Sequence, residues 1–269
     1  MQKTPEFPDL LRLIDERSAA FRAAVASAPS LDVRVPTCPE WTLLDLVRHI
    51  GEGRRSWAAT VAAGPAATSR IRSASDAAPT EVGERDVLVA WLAESTREML
   101  DALREAGPER RCWTWWGRSQ SPQTSGAVAR HQLQEIAVHT YDAQLAVGAP
   151  QPVPDEVALD GVDEFLSTCC TTTTAWPHKP AVADFHAAEG RSWRLRLSAD
   201  GARVAHLPAP DALPGTGTVA AGDLDTPDVS ARGTAVDLLL VMYGRDALDS
   251  LELDGDRGIL DLLVEWDPE

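Results

Sequence analysis

Four stretches in the first 148 residues repeat apolar side chains at helical spacing, and each is followed by a stop. Each stretch is therefore expected to be a helix with one face to bury, and four such faces in succession can bury one another as a bundle. Residues 8–28 place Leu10, Leu11, Leu13, Ile14, Phe21 and Val25 on one side. In the second stretch Leu43, Leu46, Val47 and Ile50 form the stripe, and Thr42 with Asp45 three residues later is a capping-box pattern. Residues 81–106 carry Val87, Leu88, Trp91, Leu92, Met99, Leu100 and Leu103. The fourth helix, about 125–147, ends at Gly148, a residue suited to a helix C-terminus. Between these, 30–41, 64–80 and 107–123 read as loops.

After QPVP at 151–154, a linker, the texture changes. DEVALDGVDEFLSTCC (155–170) has the spacing of a fifth helix, and TTTTAWPHKP reads as a loop. WRLRL (193–197) alternates as a half-buried strand does, the Asp200-Gly201 pair signals a hairpin, and RVAHL follows as its partner. TVAAG (218–222) and DVSARG (228–233) suggest more strand or turn, LELDG a short strand, and 234–243 and 256–265 two helices. The expected architecture is a four-helix bundle over 1–150 followed by a smaller α+β domain over 151–269.

The chain has 269 residues and a formal net charge of −16. That balance speaks against nucleic-acid and anionic-membrane partners, which recruit basic surfaces. The acid is concentrated late: residues 223–269 hold thirteen Asp or Glu against three Arg, as a solvated acidic face would. Cys38, Cys112, Cys169 and Cys170 form no C-x-x-C pair and read as thiols in a reducing compartment. No signal pattern opens the chain, and no apolar run approaches the ~18 residues of a membrane span, so the expected location is cytoplasmic.

The fourth helix contains HQLQEIAVHTYD, residues 131–142. Glu135 and His139 are four apart and share a helix face, and His131 and Asp142 extend the row between the apolar flanks Leu133, Ile136, Val138 and Leu145. Such a row is a solvated face, an ordinary Glu–His hydrogen bond, or part of a metal site. Metal binding needs a third ligand from elsewhere, and His49, at the edge of the second helix's buried stripe, is the candidate.

VPTCPEWTLLDLVRHIGEG (35–53) followed by E-x-x-x-H-x-x-D (135–142) resembles the mycothiol-dependent maleylpyruvate isomerase family, within the DinB-like metal-binding bundle superfamily. GTAVDLLLVMYGRDALDSLELDGDRGILDLLVE is similar to the family's second, sterol-carrier-like domain. The resemblance implies zinc held by His49, Glu135 and His139, with a position left open for water or a thiolate. It favours the thiolate of mycothiol, adding to an activated double bond of a small electrophilic substrate. It further implies that Arg245 holds a substrate carboxylate, the alternative being an ion pair with the acidic C-terminal segment. Asp142 would orient a ligand histidine or a polar group of the thiol, unless it is a surface or capping carboxylate. His131 would stand at the site mouth, or simply be exposed. Trp113, Trp115 and Trp116 would wall a pocket between the domains, or pack in the core.

Gln134 stands where family members often carry His, and Thr140-Tyr141 where they often carry Arg-Trp. These departures favour an S-transferase over a cis/trans isomerase. A metal-free small-molecule or lipid-binding protein and a metal-dependent hydrolase are the other classes. The first would retain an apolar ligand, and the second would need no thiol.

Overall fold

The computed structural model describes residues 4–72, 78, 85–208 and 226–266. It divides into two compact units, one of Thr4–Gly117 with Pro122–Val157, the other of Arg118–Ser121 with Ala158–Glu269.

The first unit is the helical one. Helix α1 spans Phe7–Ser27, with Pro8 in its first turn, where a missing N–H costs nothing. Helix α2 spans Leu43–Ala63 and opens on the expected capping box: the Thr42 hydroxyl accepts from the Asp45 N–H, and the Asp45 carboxylate accepts from the Thr42 N–H. Helix α3 spans Arg85–Ala106 and α4 spans Ser125–Ala146. Gly148, at φ +72°, donates to the Leu145 carbonyl and closes α4. The most extensive pairings are α1 with α4 and α2 with α3. Phe21, Val25, Leu46, Ile50, Leu88, Leu92 and Ile136 meet in the core. At Gly51 the Trp91 side chain of α3 packs directly on the α2 backbone: a Cβ there would stand 2.0 Å from the Trp91 ring.

One expected loop is partly ordered otherwise. Within residues 30–41, β1 (Arg34–Val35) and β2 (Cys38–Thr42) form a small antiparallel ribbon that leads directly into α2. Two strands this short carry too few alternating positions to register as a period.

Helix α5 spans Asp155–Phe165, its first three residues counted with the helical unit and the rest with the second, and then widens into a π-helical turn, Leu166–Cys170, rather than continuing as α-helix. The Ser167 hydroxyl donates to the Asp163 carbonyl at 2.7 Å, and that of Thr171 to the Ser167 carbonyl at 2.6 Å. Hydroxyls bonding backward onto the ladder loosen it in this way. The second unit's sheet has five strands, in the order β5 (Gly201–His206), β4 (Ser192–Ser198), β3 (Ala181–Ala187), β6 (Val229–Gly233), β7 (Glu252–Gly255). Strands β4 (Ser192–Ser198) and β5 (Gly201–His206) are the expected hairpin, turned at Gly201 with φ +106°. Strands β6 (Val229–Gly233) and β7 (Glu252–Gly255) fall on DVSARG and LELDG, whereas TVAAG lies outside the described residues. The central strand β3, Ala181–Ala187, is antiparallel to β4 and parallel to β6. Its sequence carries no alternation, because most of its residues are buried, including Asp184, which pairs with Arg194 through two 2.7 Å hydrogen bonds. Helices α6 (Ala235–Met242) and α7 (Gly258–Glu265) pack on β3, α6 also on β6. Among the described residues no helix is long and apolar enough to cross a membrane.

Candidate metal centre

Helix α2 supplies His49, and α4 supplies Glu135 and His139. The two helices cross so that one ligand-type atom from each of the three side chains lies within 4.8 Å of the others. His49 Nε2 stands 2.8 Å from Glu135 Oε1, and His139 Nε2 stands 3.7 Å from the same oxygen. Donors about 2.0–2.1 Å from a tetrahedral zinc are roughly 3.4 Å apart, so these spacings suit a small divalent cation with little rearrangement. Two imidazoles and one carboxylate are a donor set that several such metals accept. The four cysteines are thiols and contribute nothing to this cluster.

Burial works to raise the Glu135 carboxyl, but the hydrogen bond to His49 and the fields of His139, His131 and His49 outweigh it. The group is held well below the usual carboxylate range and stays an anion. An anion facing several imidazoles is an arrangement a cation would stabilise.

Asp142, with no exposed surface, lies behind His139. Its Oδ2 is 2.8 Å from His139 Nδ1, and its Oδ1 accepts from the Thr37 hydroxyl at 2.6 Å. A carboxylate can only accept, so Nδ1 donates to Asp142 and Nε2 is the nitrogen turned toward Glu135, the one a cation would take. Trp41, from β2, covers both imidazoles, its ring centroid 4.9 Å from that of His49 and 6.1 Å from that of His139.

Beside the cluster opens a cavity of about 510 Å³ within the helical unit, bordered by His49, Glu135, Trp57, Trp115, His131 and Arg54 among others. His131 sits among Trp57, Trp115 and Trp116, at centroid distances of 6.5, 5.7 and 5.1 Å. Trp115 is half exposed, whereas Trp116 is buried, its indole N–H donating to the Pro122 carbonyl. Trp113 stacks on Trp57 at 6.1 Å. Arg245 belongs to the second unit, where it donates to the Tyr243 carbonyl at 2.6 Å beyond the end of α6. The three departures from the family pattern, Gln134, Thr140 and Tyr141, are not among the residues lining the cavity. Gln134 and Thr140 are buried, and the Thr140 hydroxyl bonds to the carbonyls of Ile136 and of Arg17 on α1.

Sequence reasoning does not single out Thr37, Trp41, Trp57 or Arg54. Thr37 and Trp41 lie in the ribbon, whose sequence reads as a loop. Arg54 has a signal: Ile50, Arg54, Trp57 and Val61 share one helical stripe, and a charge there is out of place.

Comparison with known proteins places this geometry in context. The family described as Mycothiol maleylpyruvate isomerase N-terminal domain matches residues 11–144, and the one described as MDMPI C-terminal domain matches residues 156–262. A crystal structure of the mycothiol-dependent maleylpyruvate isomerase superposes with a TM-score of 0.59 at 12% identity, covering 93% of each chain. A structure of a point mutant of that enzyme gives 0.58 at 12% identity and the same coverage. At this identity the likeness is one of fold. A search of curated proteins finds no match.

Proposed function

The chain belongs to the mycothiol-dependent maleylpyruvate isomerase family, and from that membership we propose that it is a metal-dependent enzyme using mycothiol to isomerise a small unsaturated substrate. The observation that carries the proposal is the convergence of His49, Glu135 and His139 at a cavity, with Asp142 fixing one imidazole from behind.

Bound by those three residues, a divalent cation such as zinc would supply Lewis acidity and an open position at which a thiol is favoured as its thiolate. The rest of the chemistry belongs to the chain and its substrates. Asp142 holds the His139 ring in one tautomer and orientation, and Trp41 packs against both imidazoles. Trp57 and Trp115 give the cavity a partly aromatic wall against which a planar substrate can pack. The thiolate sulfur adds to one carbon of a conjugated double bond, and the electron pair moves onto the conjugated carbonyl. Rotation about the resulting single bond and loss of the same thiolate return an isomer of unchanged mass. Proton transfer to the enolate carbon would instead trap the adduct and make the enzyme an S-transferase. His131, an imidazole on the cavity wall outside the candidate metal ligands, is the group we assign to that proton. The family resemblance assigns Arg245 to a substrate carboxylate.

Gln134, Thr140 and Tyr141 do not line the cavity, and family membership supports isomerisation, with S-transfer as the alternative. The test is incubation of metal-loaded protein with mycothiol and maleylpyruvate, read by mass spectrometry. An isomer of unchanged mass formed only with thiol supports isomerisation, and a product heavier by the thiol supports transfer. No thiol-dependent product from metal-loaded protein, with either maleylpyruvate or a panel of activated alkenes, removes the proposal.

A further inference from the structure

Arg54 is 3% exposed, in the middle of the bundle. Its guanidinium donates to the hydroxyls of Ser18, at 2.7 Å, and Thr96, and both hydroxyls pass their own protons back to helix carbonyls, Ile14 and Leu92. These partners are neutral. Burial and the charge of Arg22 push Arg54 down to about 9, against the pull of Glu135 and Asp15, so it still carries its charge at neutral pH. Burying such a charge costs several kcal/mol unless an anion compensates it.

Two more guanidiniums border the same cavity. Arg70 lies over the Trp57 ring, 5.3 Å from its centroid, and is held by the Ser56 hydroxyl at 2.9 Å and the Gly53 carbonyl at 3.2 Å. Arg72 completes the set. Among the described residues none of the three makes an ion pair with a carboxylate. Facing them are the carboxylates of Glu135, committed to the imidazoles, and of Glu52, whose Oε1 accepts from the Ala78 N–H. In a chain of net charge −16, this cavity gathers three arginines beside an aromatic wall.

We propose that Arg54 and Arg70, supported by Arg72, form a carboxylate-binding wall that selects small, planar, unsaturated carboxylates and holds them against Trp57 beside the His49–Glu135–His139 cluster. The proposal rests on the assignment of catalysis to this cavity and deepens it, because it names the residues that choose the substrate. A guanidinium fork meets a carboxylate with two parallel hydrogen bonds, and an amide of the same shape cannot replace the charge. The wall belongs to the helical unit itself and is independent of the role of Arg245.

Calorimetric titration with maleate and with its uncharged diamide, in thiol-free buffer, tests the wall directly. Metal-stripped protein is used first, so that maleate cannot bind through a metal, and metal-loaded protein second. Maleate should bind the stripped wild type and the diamide at least tenfold more weakly. Arg70→Gln should weaken maleate about tenfold or more, with Arg70→Lys recovering part of the loss. Arg54→Lys should show a similar loss, and if that variant does not fold, Arg70→Gln still decides. Equal binding of the two probes, or maleate binding unchanged in both Arg70→Gln and Arg72→Gln, overturns the proposal. Thiol-dependent turnover is read separately. Arginine-dependent maleate binding without turnover would sink the catalytic assignment and leave the wall standing, while turnover with an unchanged KM in Arg70→Gln would do the reverse.

Discussion

Asp142 Oδ2 lies 2.8 Å from His139 Nδ1, and the carboxylate that makes this contact has no exposed surface. The pair sets which nitrogen of His139 faces Glu135, and so whether that ring can donate a lone pair to a cation. Asp142→Asn keeps the shape but can present N–H to the imidazole and favour the wrong tautomer. Metal affinity should fall about 10- to 100-fold while the fold is kept. Competition against a chelator of known strength measures this, and an unchanged affinity would remove Asp142 from the site.

His49→Ala and His139→Ala should each lose bound metal and keep the bundle, whose core is mainly aliphatic. In wild-type protein, zinc at a hundred times its dissociation constant should stabilise the fold by about 2.7 kcal/mol. Thermal melts with and without zinc, together with metal per chain by elemental mass spectrometry, check both statements. A full equivalent in either mutant would show that its histidine is not a ligand.

Thr37→Val should separate orientation from ligation. It withdraws one hydrogen bond from a buried carboxylate, which costs about 1–3 kcal/mol. Urea unfolding should register that loss, and metal affinity should drop by less than in Asp142→Asn. If the variant were as stable as wild type, the 2.6 Å contact would have no energetic weight.

The second unit carries a pH dependence of its own. Burial, chiefly, and the opposed Arg232 push the His186 imidazole below its ordinary value, Arg194 adding to them and Asp184 opposing. The unfolded chain then binds the proton more readily than the folded one. The stability tied to a neutral His186 is present above an unfolded pKa of about 6.5 and is lost as pH falls from there toward the lower folded value. Unfolding of the His186→Gln variant should be less sensitive to pH just below about 6.5 than that of wild type. Identical slopes would show that His186 does not titrate differently on folding.

The parts of this fold that are legible in the sequence are those with a period. Helices α2 and α4 show their stripes and caps, and spacing alone puts Glu135, His139 and Asp142 in one row on α4. Strand β3 lacks a period because both faces are covered, and the β1–β2 ribbon is too short to have one. That ribbon is why Thr37 and Trp41 leave no trace in the sequence pattern: their contacts with Asp142 and the two imidazoles come from chain reversal, not from spacing. The cavity is equally hidden. Arg54 breaks the α2 stripe in plain view, but the hydroxyls that hold it come from α1 and α3, and only packing brings them together.

Gly51 sits two residues after His49, at the point where α2 touches the Trp91 ring. The missing side chain works as an index mark for the cluster. With no Cβ to hold them apart, α2 rests on α3 at one depth, and that depth fixes how far the His49 imidazole reaches toward α4. A methyl group at this position would act on His49 without touching it, by lifting the helix that carries it. The precision of the centre is thus set partly by a residue that has no side chain.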